Sequence, residues 1–258
     1  IGEGEDSLST KQSNLVYKAA KRYFDEFGLP MPSTSITCWN DIPIARGLGS
    51  SSAAIIGGLL GASALAGEQN PNLELIWKLA VEIEGHADNI TPALFGGCQI
   101  VVIDQNSLVR APVSIPDYIR TVLFIPDLPM DTSRARNVLS RKVSREDTVY
   151  NIGRVALLIN AFSTGRDNDL RVATQDQLHQ PARQNLLPVM QMLFNSALAA
   201  GALGVFLSGS GSTVLALTHG AEISIAYEMA EAANRAGVSG RVKITRPSTD
   251  AAQITIED

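Results

Sequence analysis

The sequence predicts an α+β fold, in which helices and strands are mixed without a strict alternating repeat. Two observations lead to this prediction. Some segments carry apolar residues at helical spacing and end at a glycine, whereas others are short apolar runs bounded by turn residues. The chain has 258 residues, 45% of them hydrophobic, which is enough for an ordinary core in one large domain or two smaller ones.

The first part of the chain is expected to be mainly helical. Asn14–Phe27 has apolar side chains at helical spacing and stops before a glycine. A strand is expected at Ser35–Trp39, followed by helices at residues 50–66 and Leu73–Ile83. The helix at 50–66 is apolar or small on every side, which is typical of a buried helix.

The rest of the chain is expected to mix both element types. Strands are expected at "CQIVVID", "IRTVLFIP", "RVKIT" and "AAQITIE", with a strand, a glycine turn and a strand or short helix at "GVFLSGSGSTVLAL". The expected helices are Asp131–Ser144, Thr148–Ser163, Leu170–Gln177, Arg183–Ala200 and Ile223–Ala236. Two prolines in "RAPVSIPD" favour a boundary there, which predicts domains at residues 1–112 and 113–258.

Composition narrows the range of partners and locations. The net charge is −5 and there is no basic block, which argues against nucleic acid or an anionic membrane as a partner. No apolar run is long enough to span a membrane. Cys38 and Cys98 lie in strand-like apolar contexts and are expected to be buried, reduced thiols, so a reducing, cytoplasmic location is expected.

The segment "PIARGLGSSSAA", Pro43–Ala54, joins a polar glycine–serine loop directly to the small, apolar helix. The first N–H groups of a helix lack partners and carry partial positive charge, so phosphates bind there, and glycine allows close approach of the backbone. The Walker and Rossmann patterns are absent. On these residues alone, a helix entry capped by Ser50 and selected only for packing remains an open alternative.

The pattern P-x-x-x-G-L-G-S-S-S-A-A resembles the nucleotide-binding motif of the GHMP small-molecule kinases. "LSGSGSTV", Leu207–Val214, is similar to the C-terminal glycine-rich motif of that family, although Ser212 stands where proline is usual. The resemblance implies ATP as cosubstrate. It also implies the following nucleotide-binding residues: Asn14 beside the adenine, and Pro43, Arg46, Gly47, Leu48, Gly49, Ser50, Ser51 and Ser52.

The segment "EGHADNITPALFGG", Glu84–Gly97, places two carboxylates, an imidazole and an amide close together, as a polar ligand or a metal would require. It resembles the homoserine kinases, which carry E-G-H-x-D-N-x-x-P-A here. The alternative is a polar turn with a satisfied histidine. The resemblance, together with "DTSRARNVL" and "QPARQNLLP", implies L-homoserine as substrate, and its expected ligands are His86, Asp88, Asn89, Arg136, Arg183 and Gly209.

The roles of these residues follow from the resemblance and from charge matching. Arg136 and Arg183 are assigned to the substrate carboxylate, since arginine binds carboxylates through paired N–H groups. Ser51 and Glu84 are assigned to Mg²⁺ and, with Thr132, to the catalytic set. Glu82 is the rival of Glu84, but the family's Ala-x-x-x-Glu spacing favours Glu84. Whether a general base acts is open.

The resemblance also implies the architecture. An N-terminal lobe would contain a left-handed β-α-β unit, and a C-terminal lobe would be ferredoxin-like. The family's opening motif, P-x-[ST]-x-N-L-G-x-G-F-D, does not precede "IGEGEDSLS", so this chain is expected to bind homoserine poorly and to turn over little or none of it.

Three alternatives stay open at this point. The first is another GHMP kinase, acting on mevalonate or a sugar. The second is a catalytically silent nucleotide-binding protein, and the third is a structural module whose glycines serve only packing. Dimers are common in the family, so a homodimer is also open.

Overall fold

The computed structural model describes residues 1–105 and 107–256. These residues form two compact units. Unit 1 comprises the described residues of Ile1–Ile44, Gly49–Pro112 and Ser248–Asp258. Unit 2 comprises Ala45–Leu48 and Val113–Pro247. A short stretch of the glycine–serine loop therefore packs with residues that lie much later in the chain.

Unit 1 is built mainly from helices. Its elements are α1 (Leu15–Glu26), α2 (Ser50–Leu65), α3 (Leu73–Glu84), α4 (Ile90–Phe95), β1 (Cys98–Asp104) and β2 (Ser107–Val113). The two strands pair in a two-stranded sheet. The three expected helices and the strand "CQIVVID" are confirmed, whereas β2 was not foreseen.

Helix α2 is the centre of unit 1. It packs against α1 and α3, and Ile55 and Leu59 have no exposed surface. A Cβ on Gly58 would lie 2.4 Å from the carbonyl oxygen of Val16 and 2.8 Å from the Cβ of Ala19. Any side chain at position 58 would therefore force α1 and α2 apart, which explains the small residues of this segment.

Unit 2 is an antiparallel sheet with helices. Its strands are β3 (Arg120–Pro126), β4 (Gly204–Leu207), β5 (Val214–Thr218) and β6 (Gly240–Thr245), in the order β4-β5-β3-β6. Leu123 lies opposite Leu215 on one side and Lys243 on the other. In chain order this sheet is 2-3-1-4 with helices after its first and third strands, so the ferredoxin-like prediction is confirmed.

The helices of unit 2 are shorter than the sequence predicted in several places. They are α5 (Thr132–Asn137), α6 (Arg145–Thr164), α7 (Leu170–Ala173), α8 (Gln180–Arg183), α9 (Met190–Ala199) and α10 (Glu222–Arg235), with a 3₁₀ turn at Asp167–Asp169. The core of the unit lies where α9 and α10 cover the sheet, around Val122, Leu193 and Met229.

Three of the expected helices were too long. The helix expected at Leu170–Gln177 ends at Ala173, as α7. After α5, the hydroxyl of Ser140 accepts from the N–H of Lys142 at 3.2 Å, and Ser144 caps the start of α6. The helix expected at Arg183–Ala200 begins only at Met190, as α9, because Pro188 lacks an N–H and restricts the residue before it; Arg183 instead ends α8.

Two expected strands are wrong within the described residues. Ser35–Trp39 is irregular, because its pairing is confined to bonds of Cys38 and Asn40 with Ile1 and Glu3. Cys38 is consequently exposed rather than buried, while Cys98 is partly buried. The strand expected at residues 251–257 is irregular over 251–256 and lies outside the described residues at Glu257.

The left-handed β-α-β unit stays a prediction. Within the described residues, the strands of unit 1 are β1 and β2, which follow one another directly in the chain. Their connection contains no helix, so it defines no crossover handedness.

Candidate active site

The loop before α2 has a backbone in which the sign of φ alternates. Ala45, Gly47 and Gly49 have φ values of +54°, +72° and +79°, whereas Arg46 and Leu48 between them are not left-handed. Alternation of right- and left-handed residues turns successive N–H groups toward one side, which forms a concave anion site. The loop leads directly into the N-terminus of α2, whose first turn contains no acidic residue.

The start of this loop is tied to the end of β3 and the segment after it. The carbonyl oxygen of Ala45 accepts from the N–H of Met130 at 2.8 Å. The Arg46 guanidinium donates to the carbonyl oxygens of Pro126 and Asp127 at 2.7 and 2.9 Å. The charged side chain of Arg46 therefore anchors the loop to the end of β3.

The two glycine-rich motifs lie against one another. The Ser208 hydroxyl donates to the carbonyl oxygen of Gly47 at 2.8 Å, across 161 residues of sequence, and the N–H of Thr213 donates to Arg46 at 3.2 Å. A Cβ on Gly47 would lie 2.1 Å from the carbonyl oxygen of Ser208. At Gly49, by contrast, a Cβ would meet no described heavy atom within 4 Å.

Glu84 lies at the end of α3 beside the first turn of α2. Its carboxylate accepts from the Ser51 hydroxyl at 2.7 Å and from the Ser52 hydroxyl at 3.3 Å. The Glu84 side chain is 12% exposed. Glu82 lies elsewhere, since its carboxylate is 3.0 Å from Arg22 and 45% of its side chain is exposed. Of the two rivals, only Glu84 faces the serine-rich helix end.

The histidine after Glu84 connects two carboxylates. His86 Nδ1 lies 2.5 Å from Asp88 Oδ1, and His86 Nε2 lies 3.7 Å from Glu84 Oε1. Asp88 Oδ1 also accepts from the N–H of Asn89 at 2.9 Å. Asp88 and Asn89 are exposed, so Asp88 Oδ2 and the Asn89 amide are placed to meet a polar ligand.

The expected substrate cations lie close together in unit 2. Thr132 begins α5 and Arg136 lies on the next turn, as the spacing predicted, and both side chains are exposed. Arg183 ends α8 and is 7% exposed. Its guanidinium donates to the carbonyl oxygens of Ala135 and Gly209, both at 3.2 Å.

Burial and two neighbouring charges influence the pKa of Arg183. Its pKa is lowered, chiefly because burial disfavours the cation and further because Arg136 is a nearby positive charge, while Asp176 opposes the shift. Two neighbouring cations, one buried and one exposed, make this part of unit 2 attractive to an anion such as a carboxylate.

Other expected residues have local structural partners. Asn14 caps α1, with its oxygen 2.9 Å from the N–H of Val16 and its amide 2.7 Å from the carbonyl oxygen of Ser9. Pro43, Leu48 and Ser50 are half-buried along the loop. The structure thus brings Ser51, Ser52, Glu84, His86 and Asp88 together in unit 1, and Gly47, Gly209, Arg136 and Arg183 in unit 2.

Sequence reasoning missed two residues that hold these groups in place. Ser208 was read only as part of a glycine motif, and its contact with Gly47 depends on the fold. Asp176 was not singled out, yet its carboxylate accepts four hydrogen bonds near Arg183. The only sequence signal was an aspartate shortly before a helix start, which is common at caps.

Two searches of the described residues were negative. No group of three or more His, Cys, Asp or Glu side chains there forms a metal cluster. None of the helices found there combines the length and apolar character that a membrane span requires.

The amino-acid sequence is similar to that of a known family of kinases. The pattern of the GHMP kinases N terminal domain matches residues 14–97, and that of the GHMP kinases C terminal domain matches residues 158–238. A homoserine kinase of Clostridium botulinum is 43% identical over 207 residues, which cover 80% of this chain and 69% of that relative. One of Moorella thermoacetica is 40% identical over 253 residues, covering 98% and 85%.

Solved structures show the same fold. A crystal structure of homoserine kinase from Cytophaga hutchinsonii aligns with a TM-score of 0.84 at 24% identity, covering 96% of this chain and 81% of that one. L. major mevalonate kinase in complex with R-mevalonate aligns at 0.59 and 15% identity, covering 93% and 78%.

Proposed function

Because the chain belongs to the GHMP kinases and, among them, to the homoserine kinases, we propose that it phosphorylates L-homoserine with ATP. The product would be O-phospho-L-homoserine, an intermediate of threonine biosynthesis. The observation that carries this proposal is the loop at 45–49, whose alternating φ values lead into the N-terminus of α2, where no side chain caps the first N–H groups. These groups suit the phosphates of ATP.

The residues present also fit a Mg²⁺ ion. Mg²⁺ prefers oxygen ligands and is usually held by one or two protein groups together with substrate phosphates and water. Glu84 and Ser51 would hold it, since their oxygen atoms are 2.7 Å apart and Glu84 is shielded from solvent. When bound, the ion would neutralise charge on the β- and γ-phosphates.

Homoserine is a zwitterion with a terminal hydroxyl, so its carboxylate and ammonium groups need opposite partners. We assign the carboxylate to the cations Arg136 and Arg183, and the ammonium to the oxygen atoms of Asp88 and Asn89. The 2.5 Å contact between His86 Nδ1 and Asp88 Oδ1 fixes the orientation of the imidazole, which would line the substrate site as a polar group. Thr132, exposed at the start of α5, is assigned with Ser51 and Glu84 to the catalytic set.

The reaction itself asks the protein mainly for positioning and charge stabilisation. The substrate hydroxyl oxygen forms a bond to the γ-phosphorus, the bond from that phosphorus to the β–γ bridging oxygen breaks, and ADP leaves. In a loose transition state the hydroxyl keeps its proton until late, so the proton can pass to a phosphate oxygen or water. The proposal therefore requires no dedicated general base.

The substrate is tested by ADP release with a panel of acceptors. We expect L-homoserine to exceed mevalonate and galactose by at least about 100-fold in kcat/KM, because neither of them carries the ammonium group that is assigned to Asp88 and Asn89. L-2-aminobutyrate, which has the same charged groups but no hydroxyl, should release no ADP above the background. A mevalonate or sugar rate above that of homoserine would refute the assignment.

The roles of the two glutamates provide a matched pair of variants. E84Q should lower kcat by about 100-fold, as expected for the loss of one charge-stabilising group. E82Q removes a carboxylate two residues away that pairs with Arg22 at the surface, and should change kcat less than about twofold. Equal losses in both variants would mean that Glu84 has no special role.

A further inference from the structure

Asp176 lies between α7 and α8, and its carboxylate gathers four donors. It accepts from the Asn151 amide at 2.6 Å and from the N–H groups of Leu178, His179 and Gln180 at 3.1, 2.7 and 2.5 Å. The N–H of Gln177 in turn donates to Asn151 at 3.0 Å. One half-buried side chain therefore fixes the path of the chain into α8.

The Asp176 carboxylate is held as an anion. Burial raises its pKa, but the hydrogen bonds from Gln180, Asn151, His179 and Leu178 outweigh burial, so the pKa is lowered overall. Its charge also favours the cationic form of Arg183. Asp176 therefore places Arg183 through the backbone of α8, and its negative charge is compatible with the nearby guanidinium.

The short helix that Asp176 holds carries two long-range contacts. Gln180 accepts from the N–H of Leu207 at 2.8 Å, which ties the start of α8 to the end of β4. Three residues later, Arg183 reaches Ala135 in α5 and Gly209 in the glycine turn. Ala135 is the neighbour of Arg136, so the position of α8 determines how the two arginines are presented.

We propose that Asp176 is a positioning residue for substrate recognition, which sets the place of Arg183 by holding the start of α8. The inference rests on the proposed function, because the group that it positions is assigned to the homoserine carboxylate. Asp176 would not touch the substrate. Its loss should therefore weaken binding of an α-carboxylate ligand more than binding of ATP.

The first test is D176N, which keeps the size of the side chain but removes its charge and one of its acceptor atoms. We expect the KM for homoserine to rise about tenfold or more, with kcat and the KM for ATP within about twofold, since hydrogen bonds to charged groups are worth roughly that factor. The matched control is D169N. Asp169 lies seven residues before Asp176, and its carboxylate is 2.6 Å from the Arg166 guanidinium. D169N should therefore leave all three parameters within about twofold.

A double-variant cycle separates positioning of Arg183 from a general structural effect. R183K keeps a cation but loses the planar guanidinium whose Nε and Nη1 make the two bonds, so it should raise the KM for homoserine by itself. If Asp176 acts through Arg183, adding D176N to R183K will raise the KM much less than tenfold further. The proposal would be overturned if the double variant raised the KM for homoserine by the product of the two single-variant factors. It would also be overturned if D176N raised the KM for ATP as much as the KM for homoserine.

A milder variant covers the case in which D176N does not fold. N151A removes one donor to the carboxylate and leaves Asp176 intact, and it should raise the KM for homoserine by a few fold with the KM for ATP unchanged. No change in N151A would then refute the inference. If the wild type phosphorylates another acceptor instead of homoserine, the proposed function fails, whereas the Asp176 variants are still judged by the KM for that acceptor.

Discussion

The glycine turn at Ser208–Ser212 supports two regions of unit 2 by different means. On one side it touches the loop at Gly47, where the Ser208 hydroxyl donates to the Gly47 carbonyl oxygen and no room exists for a side chain. On the other side it touches Arg183, whose long cationic side chain reaches the carbonyl oxygen of Gly209. The first contact depends on the close packing of two backbone segments. The second depends on a hydrogen bond from a cationic side chain to a backbone carbonyl oxygen.

The difference predicts how each region responds to change. A backbone packed at van der Waals limits tolerates no added atom, because the interior cannot yield locally without shifting neighbours. A buried side chain with hydrogen bonds tolerates small shifts, but removing its charge leaves its acceptors without donors. The loop should therefore fail sterically, and the Arg183 region electrostatically.

The largest effect is expected for G47A. The new Cβ would lie 2.1 Å from the Ser208 carbonyl oxygen, and alanine would also have to adopt a φ of +72°. We expect the free energy of unfolding to fall by about 3 kcal/mol or more, and Mg-ATP affinity to fall at least about 100-fold. Denaturant unfolding and calorimetric titration measure the two quantities.

G49A is the matched control for that variant. Gly49 has a similar φ of +79°, but its Cβ would meet no described heavy atom within 4 Å. The expected loss of stability is about 1 kcal/mol, the cost of the left-handed conformation alone. Mg-ATP affinity should still fall, since the methyl group would occupy the space assigned to phosphate. Equal stability losses in both variants would show that the close packing at Gly47 is unimportant.

The next effect is expected for R183Q, compared with R136Q. Arg183 is 7% exposed and satisfies two carbonyl oxygens, so its loss should destabilise the protein by about 2 kcal/mol. Arg136 is exposed, and R136Q should change stability by less than about 0.5 kcal/mol. Both variants should raise the KM for homoserine about tenfold. A stable R183Q with unchanged KM would contradict both roles of Arg183.

The same contrast explains what the sequence could predict. The loop and α2 were predictable because their signals are local: glycines at positions of positive φ, followed by a helix without polar faces. Helical periodicity could not choose between Glu82 and Glu84, and only the family's Ala-x-x-x-Glu spacing favoured Glu84. The bond from Ser208 to Gly47 and the burial of Arg183 were not predictable, because they join residues that are far apart in the chain.

The fold was predictable to a similar extent. Helices with an apolar face or a glycine end, such as α1 and α3, were found nearly to the residue. Ser35–Trp39 was wrong because its apolar pattern satisfied the rule for a strand, whereas forming a strand depends on a paired neighbour. The strand β2 was missed because Pro112 and exposed side chains hide its pattern.

A smaller effect is expected for S208A. The variant removes the hydroxyl bond to Gly47 but leaves the backbone contacts of the turn in place, so stability should fall by about 1 kcal/mol. The KM for ATP should rise by a few fold while the KM for homoserine stays constant. S210A, at the middle one of the three serines of the turn, is the control and should leave the KM for ATP unchanged. If S208A changed the KM for homoserine more than the KM for ATP, Ser208 would support the Arg183 region rather than the loop at Gly47.

The smallest effect is the acid dependence of the Arg183 region. The pKa of Asp176 is lowered from its usual 3.8, so its charged form contributes stability that is present above about pH 4 and is lost as the pH falls through the folded-state pKa. The stability difference between wild type and D176N should thus be constant from about pH 5 to 7 and decrease toward pH 3. The S208A difference should stay constant over that range, because a serine hydroxyl does not titrate. If the D176N difference also stays constant down to pH 3, the carboxylate is not held as an anion by its four donors.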